Sequence, residues 1–341
     1  MPIANRQIVL ASRPVGGATI GDFDQDDFTL VQRDVAPLKE GELLVRNILF
    51  SVDPFHRTLM GNTPSEAAVV EIGDVIRGAT VGIVEESNNP QFEVGTHVNG
   101  WLGWQEYAVS TGMGLRKLDP AIVPLSTALG VLGHTGLTAW IGTSKLVTPG
   151  EGGTFVITNA AGSVGSLAIQ IAKLRGYRVV GIAGGPGKVA YVDDELGADI
   201  ALDYQSAAFP QHLAEAMEPG IDRLLDSVGD YMFEALMPFF NKNAQAIIIG
   251  QIAAFGDAER RSEDRLPELL NLIQYRDVAL KGLQLPDYFH TYPEFVEEMT
   301  PLVANGSIKY REQFVEGFEQ LPSSLPILFQ GGNLGKLIVR A

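Results

Sequence analysis

Along the first 124 residues apolar positions come in short runs broken by turn residues, and from residue 154 onward runs of two kinds alternate. The early runs, 7–11, 42–49, 75–84 and 107–110, have strand length. Gly41, Gly78, Gly95, Gly100, Pro90 and Pro120 punctuate them. That texture predicts a β-rich, partly open domain. Residues 130–145 read as a buried helix. Beyond them, 154–159 predicts a strand and 164–175 a helix with apolar residues at helical spacing. Strands at 178–183, 200–203, 223–227, 246–250 and 278–283 follow, with helices at 188–196, 212–217, 232–240 and 266–274 between them. Strands interleaved with helices in this way predict an α/β fold with a doubly wound parallel sheet. A further helix, 292–304, leads out of it, and the tail ends in the strand-like run 336–339. That run has no partner in the doubly wound order, so it is expected to pair back with the first domain. The expected division is a β-rich domain over 1–125, completed by 307–341, and a dinucleotide-binding domain over 126–306.

Composition narrows the class. Hydrophobic residues make up 45% of the 341 and charged residues 19%, the balance of a folded globular chain. No apolar run approaches the roughly 18 residues of a membrane helix, and the N-terminus carries no extended apolar signal region, so a cytoplasmic protein is expected. The absence of cysteine excludes disulfides, thiolate catalysis and cysteine-ligated zinc. His56, His97, His134, His212 and His290 fall in no metal-ligand spacing and read first as surface or packing residues; no metal is expected. A net charge of −16 disfavours nucleic acid and anionic membranes as partners. An anionic cofactor would then need a local electropositive site of backbone N–H groups and a few basic side chains.

Such a site can be read at Ala160-Ala161-Gly162-Ser163-Val164-Gly165, between a predicted strand and a predicted helix. Gly162 lets the backbone approach a pyrophosphate, Gly165 lets the helix pack on the strand, and the helix N-terminus offers free N–H donors. Ala160 replaces the first glycine of the usual pattern. The βαβ setting turns a weak glycine motif into a dinucleotide-site prediction. Cofactor choice is read at the end of the second strand, where NAD enzymes place a carboxylate for the ribose 2′-hydroxyl. Here Gly181-Ile182-Ala183-Gly184-Gly185 has no acid, and Lys188 follows in the next helix. That favours the 2′-phosphate of NADPH, although a lysine there is also what a solvated first turn carries.

These residues resemble the zinc-independent medium-chain dehydrogenase/reductases of the prostaglandin reductase, alkenal double-bond reductase and curcumin reductase group. The likeness runs over nearly the whole chain. Ser51-Val52-Asp53-Pro54-Phe55-His56-Arg57 is similar to that group's S-[VM]-D-P-Y-M-R, and Gly130-Val131-Leu132-Gly133-His134-Thr135-Gly136-Leu137-Thr138-Ala139 to its G-V-L-G-M-T-G-L-T-A. The turn, the 178–185 segment and the terminal Gly332-Asn333-Leu334-Gly335-Lys336 match as well.

The resemblance implies a Rossmann domain with a GroES-like β-rich catalytic domain, and a homodimer. It implies that Gly162, Ser163, Val164 and Gly165 hold the pyrophosphate and that Lys188 and Tyr204 hold the 2′-phosphate, with Gly184 also among the cofactor-binding residues. Ser227 stands where the group usually has Asn. Ile249 to Phe255 and Leu283 to Leu285 would line the nicotinamide side, and Asn333 would reach the cofactor from the tail. It implies NADPH-dependent reduction of the C=C bond of α,β-unsaturated ketones and aldehydes, with hydride going to the β-carbon and a donor needed for the carbonyl oxygen. Two tyrosines of the group are phenylalanines here, Phe55 and Phe255. His56 and Tyr288 are the candidate replacement donors, with the cofactor's own ribose hydroxyl as the remaining one, and Phe55, His56, Trp101, Phe255 and Tyr288 are the expected substrate-side residues. A quinone oxidoreductase of the same superfamily and a non-catalytic NADPH-binding protein remain as alternatives.

Overall fold

The computed structural model describes residues 3–14, 25–61, 69–147, 152–255 and 265–341. The chain divides into two units, residues 1–130 with 312–341 and residues 131–311.

The first unit opens with β1 (Ala4–Leu10) paired antiparallel to β2 (Phe28–Asp34). Next come β3 (Leu43–Ser51), the short α1 (Phe55–Leu59), β4 (Thr80–Ser87), β5 (His97–Gly100), β6 (Tyr107–Ser110) and β7 (Arg116–Leu118). Nothing in the apolar pattern marked β2, and the reason is physical. Only Phe28 of that strand is buried and Val31 half-buried, while the other positions face water, so the pattern has no continuous apolar side to alternate with. The predicted run 75–84 also shifts: β4 begins at Thr80, and Val75 makes only an isolated bridge to Val9.

The second unit contains α2 (His134–Ser144), β8 (Thr154–Ile157), α3 (Gly165–Leu174), β9 (Arg178–Ala183), α4 (Pro186–Ala190), β10 (Ile200–Asp203), α5 (Phe209–Ala216), β11 (Ile221–Asp226), α6 (Asp230–Leu236), β12 (Phe240–Ile248), α7 (Leu266–Arg276), β13 (Ala279–Gly282) and α8 (Tyr292–Ala304). Its six strands run in the order β10-β9-β8-β11-β12-β13, every pair parallel. This is the doubly wound arrangement read from the sequence, with the strand order reversing between β8 and β11. All four residues of β8 are buried, as a central strand covered on both faces requires. Val156, Val180, Leu224, Phe240 and Ala246 share one core with Leu213 and Met232 from the crossovers. β12 starts six residues before its predicted apolar run, because Phe240 enters the core while Asn241, Lys242 and Asn243 stay outside.

The chain then returns to the first unit with β14 (Glu312–Glu316), α9 (Leu321–Phe329) and β15 (Lys336–Arg340). The tail strand pairs back as expected: β15 lies antiparallel to β3 and parallel to β14. The resulting sheet runs β14-β15-β3-β4-β5-β7, with β6 also on β3. Leu321, Leu325 and Leu328 of α9 complete a core with Ile8, Leu10, Phe50 and Trp104.

Candidate functional site

The phosphate turn begins where β8 ends. Asn159 takes a left-handed backbone conformation at φ 48°, which asparagine tolerates better than most side chains. The N–H of Gly162 then returns to the Asn159 carbonyl at 2.9 Å. A β-carbon on Gly165 would lie 2.4 Å from Asn159 O and 2.8 Å from Ala160 Cα. Only glycine lets α3 start this close to the turn. The replaced first glycine also has an account. Ala160 is wholly buried, and a β-carbon on Gly181 would come within 3.1 Å of its methyl group. The methyl at 160 thus fills space that the glycine on the neighbouring strand leaves open.

The turn fits a pyrophosphate. The Ser163 hydroxyl is buried and meets no hydrogen-bonding partner among the described residues. It sits one residue before Val164, the N-cap of the ten-residue α3, where the positive end of the helix and its unpaired N–H groups lie. A buried hydroxyl without a partner is costly unless a ligand supplies one.

The pocket after β9 is assembled from three separate places. A β-carbon on Gly184 would lie 2.7–2.9 Å from the Tyr204 ring and hydroxyl, so the ring lies directly against the Gly184 backbone. Pro186 starts α4, which carries Lys188 in its single turn and a half. Burial lowers the pKa of Lys188, and no carboxylate lies within ion-pair distance of it among the described residues. The nearby carboxylate of Asp203 is already engaged, accepting from the N–H groups of Gly185 and Gln205 at 2.8 and 2.9 Å. A half-buried ammonium with no counter-charge is suited to an anion such as the 2′-phosphate.

The other residues read as nicotinamide-side ones lie at the carboxyl ends of β11, β12 and β13. The Ile249 N–H donates to Asp226 O, the Ile252 N–H to Ser227 O and the Leu283 N–H to Ile248 O. Leu285 opens a 3₁₀ turn, Leu285–Thr291, that carries Tyr288 half-buried and stacked on His290. The Tyr288 hydroxyl has no hydrogen-bonding partner among the described residues. Phe255 ends a backbone turn at Ile252–Phe255, and its side chain lies outside the described residues.

In the first unit the candidates separate. Phe55 meets Trp101 edge-on at 5.4 Å, and Trp101 is 48% exposed, so the two make an open aromatic corner. His56 is 0% exposed. Its Nδ1 lies 2.8 Å from the Asp53 carbonyl, its ring packs 4.8 Å from that of Trp104, and a β-carbon on Gly78 would touch its Nε2. The ring that the sequence offered as a substrate donor is therefore enclosed in the core. Trp104, close to Trp101 in sequence, is enclosed with it. Asn333 holds its own turn through a bond from its amide to Gly335 O at 3.0 Å.

Comparison with known proteins places this architecture. The family model described as the N-terminal domain of oxidoreductase matches residues 6–118, and that described as zinc-binding dehydrogenase matches residues 163–301. The NADPH-dependent curcumin reductase of Escherichia coli is 38% identical over 338 residues, 98% of this chain and 96% of that protein. Prostaglandin reductase 1 of Bos taurus is 34% identical over 94% of this chain and 96% of that protein. The crystal structure of CurA from Vibrio vulnificus in complex with NADPH superposes with a TM-score of 0.91 at 39% identity, covering 98% of this chain and 99% of that one. The chain belongs to the medium-chain dehydrogenase/reductases, in the group of the curcumin, prostaglandin and alkenal reductases.

Membership in this group draws attention to a contact that sequence reading missed. Two of the motifs that carried the resemblance meet inside the first unit. Lys336, from the terminal motif, donates to Asp53 Oδ1 at 2.6 Å and to Val52 O at 2.9 Å, both partners belonging to the 51–57 motif. The Ser51 hydroxyl donates to the other Asp53 oxygen. Burial lowers the Lys336 pKa, and Asp53 and Glu312 work against that shift. A second oversight is Asp226, buried beside Ser227 at the end of β11. No local signal marks either carboxylate as interior. In this reductase group's second model the name carries zinc, yet the present sequence has no cysteine. No cluster of three or more metal-ligating side chains occurs among the described residues.

Proposed function

We propose that this protein is an NADPH-dependent alkene reductase that delivers hydride to the β-carbon of α,β-unsaturated ketones and aldehydes. The half-buried ammonium of Lys188, which has no ion-pair partner among the described residues and follows the Gly184 backbone that packs on Tyr204, is the observation that carries the cofactor choice. Reductases of curcumin, prostaglandins, 2-alkenals and pulegone that match over nearly the full length supply the substrate class. Bound NADPH supplies the hydride.

The protein's own work is to bind, orient and stabilise charge. The N-terminus of α3, Gly162 and the Ser163 hydroxyl hold the pyrophosphate. Lys188 and Tyr204 hold the 2′-phosphate. Ser227, Ile249, Phe255, Leu283 and Leu285 shape the nicotinamide end. Phe55 and Trp101 offer aromatic faces to a flat conjugated acceptor. As hydride adds, negative charge gathers on the carbonyl oxygen, and a positioned donor lowers the barrier. The Tyr288 hydroxyl is the donor favoured here, because it is accessible and unpartnered, whereas His56 acts as a packing residue that seats Phe55. A homodimer in the cytoplasm belongs to the same proposal. The homodimer's support is an exposed apolar face on α7, Leu266, Leu270 and Ile273, together with the edge strand β13, whose outer side pairs with no strand among the described residues.

The decisive experiment is cofactor oxidation over a panel of enones, enals and quinones, with NADPH and with NADH. Turnover of enones and enals with NADPH is expected. Turnover of quinones alone, or binding of NADPH without turnover of any acceptor, would replace this proposal.

A further inference from the structure

Asp226 is wholly buried, takes no part in the chemistry above, and is bonded to residues from which the chain leads into the cofactor crevice. Its Oδ1 accepts from the Thr158 hydroxyl at 2.6 Å and from the Val228 N–H at 3.0 Å, and its Oδ2 accepts from the Gly229 N–H at 3.1 Å. The Thr158 hydroxyl in turn accepts from the Ser227 N–H at 3.0 Å. The Asp226 carbonyl takes the Ile249 N–H at 2.8 Å. Residues 158 and 226 thus tie together the ends of β8, β11 and β12.

The location gives these bonds their meaning. β8 and β11 are the neighbouring strands between which the strand order reverses. Ligands of doubly wound sheets bind in the crevice that opens there, outside the carboxyl ends of the strands. From Thr158 the chain enters the phosphate turn at once. From Asp226 it enters the loop carrying Ser227 and Gly229, the latter at φ 70° and packed on Gln251. The two walls of the crevice diverge from one hydrogen-bonded point. Burial raises the Asp226 pKa, against the pull of its three donors. A carboxylate placed here at that cost holds a fixed spacing that neutral packing alone would leave to chance.

We infer that Asp226 and Thr158 are positioning residues that set the separation of the phosphate turn from the 227–229 loop and so preorganise the dinucleotide site. This rests on the reading that the protein binds NADPH. The prediction is specific in kind. The clamp sits under the part of the dinucleotide that NADPH and NADH share, so its loss must weaken both equally. Lys188 must affect NADPH alone.

Calorimetric titration of wild type, Thr158→Val, Thr158→Ser and Asp226→Asn with NADPH and NADH tests the inference, with a melting curve for each protein. Thr158→Val keeps the shape and removes the hydroxyl; Thr158→Ser keeps the hydroxyl. The expected result is a Kd raised by about tenfold for both cofactors in Thr158→Val and Asp226→Asn, the worth of one hydrogen bond to a charged group. Thr158→Ser should stay within about twofold of wild type by the same measure. A lowered melting temperature with both Kd values unchanged would make the cluster purely structural and overturn the inference. Weakening of NADPH alone would also overturn it, by moving the effect to the 2′-phosphate. Failure of the wild type to bind NADPH would remove the reading beneath it, a result distinct from unchanged variants.

Discussion

Asp53 and Asp226 are both buried, one in each unit, and the two units satisfy them by opposite means. Asp226 is held by a hydroxyl and two backbone N–H groups, all neutral, from its own loop and the adjoining strand. Asp53 also takes a local hydroxyl, from Ser51, but its charge is met by a full cation 283 positions away in sequence. The difference follows from what each unit is made of. In the second unit β11 runs into a loop whose Val228 and Gly229 N–H groups turn back onto the carboxylate, so donors are at hand locally. The first unit's sheet is closed by a returning tail, and a charge on the tail meets a charge on the first motif. Neutral donors fix local spacing. A buried ion pair specifies which distant segment must arrive.

The contrast is most exposed to failure at Lys336. Lys336→Met leaves Asp53 buried without its cation and is expected to cost about 3–5 kcal/mol of stability, read from the midpoint of urea unfolding. Adding Asp53→Asn should recover part of that loss, because the stranded charge is then gone. A single-variant loss under about 1 kcal/mol would put the pair in the class of surface contacts and dissolve the comparison.

Next in size is an effect on affinity rather than on folding. Lys188→Ala removes the ammonium that lacks a protein partner. NADPH affinity should fall roughly ten- to a hundredfold while NADH affinity holds, as expected for a lost charge-assisted bond. The pH dependence has a definite sign. Burial lowers the Lys188 pKa, and the 2′-phosphate contact needs the protonated amine. The preference for NADPH is therefore complete below that lowered pKa and is lost as pH rises through it. Lys188→Arg should carry the preference to higher pH, since a guanidinium stays protonated. A preference that does not change across alkaline pH in wild type would detach Lys188 from cofactor choice.

The smallest effect is expected at the surface of the second unit. Lys145 and Glu294 form an ion pair with side chains 35% and 57% exposed. Glu294→Gln should change the unfolding free energy by less than about 1 kcal/mol. A larger loss would show that charge pairs matter alike in both units, and that burial is not what sets Asp53 apart.

Legibility in the sequence followed the range of the interaction. The strand–turn–helix at 154–174 was readable because its geometry is local: Gly165 must lie within van der Waals reach of Asn159, and both belong to one short segment. The acid-free end of β9 followed by Lys188 was readable for the same reason, as one short segment. Tyr204 needed the family resemblance, because its packing on Gly184 joins two different strands. β2 was not readable, since an exposed ribbon has no apolar side. His56 illustrates the limit best. Nothing beside it in sequence distinguishes an accessible histidine from one enclosed against Trp104, and its burial is decided by residues 78 and 104 arriving around it.

By itself, then, the sequence determined the alternation that makes a parallel sheet, the glycines that bring a phosphate turn onto a helix, and an acid-free strand end followed by a lysine. Each is set by backbone sterics and hydrogen bonding among neighbours. The tertiary structure alone decided that His56 and Trp104 lie inside while Phe55 and Trp101 face out, that Asp53 meets Lys336, and that Asp226 joins the two walls of the crevice. Those outcomes depend on which distant surfaces exclude water from a polar group, and that exclusion exists only once the chain has closed on itself.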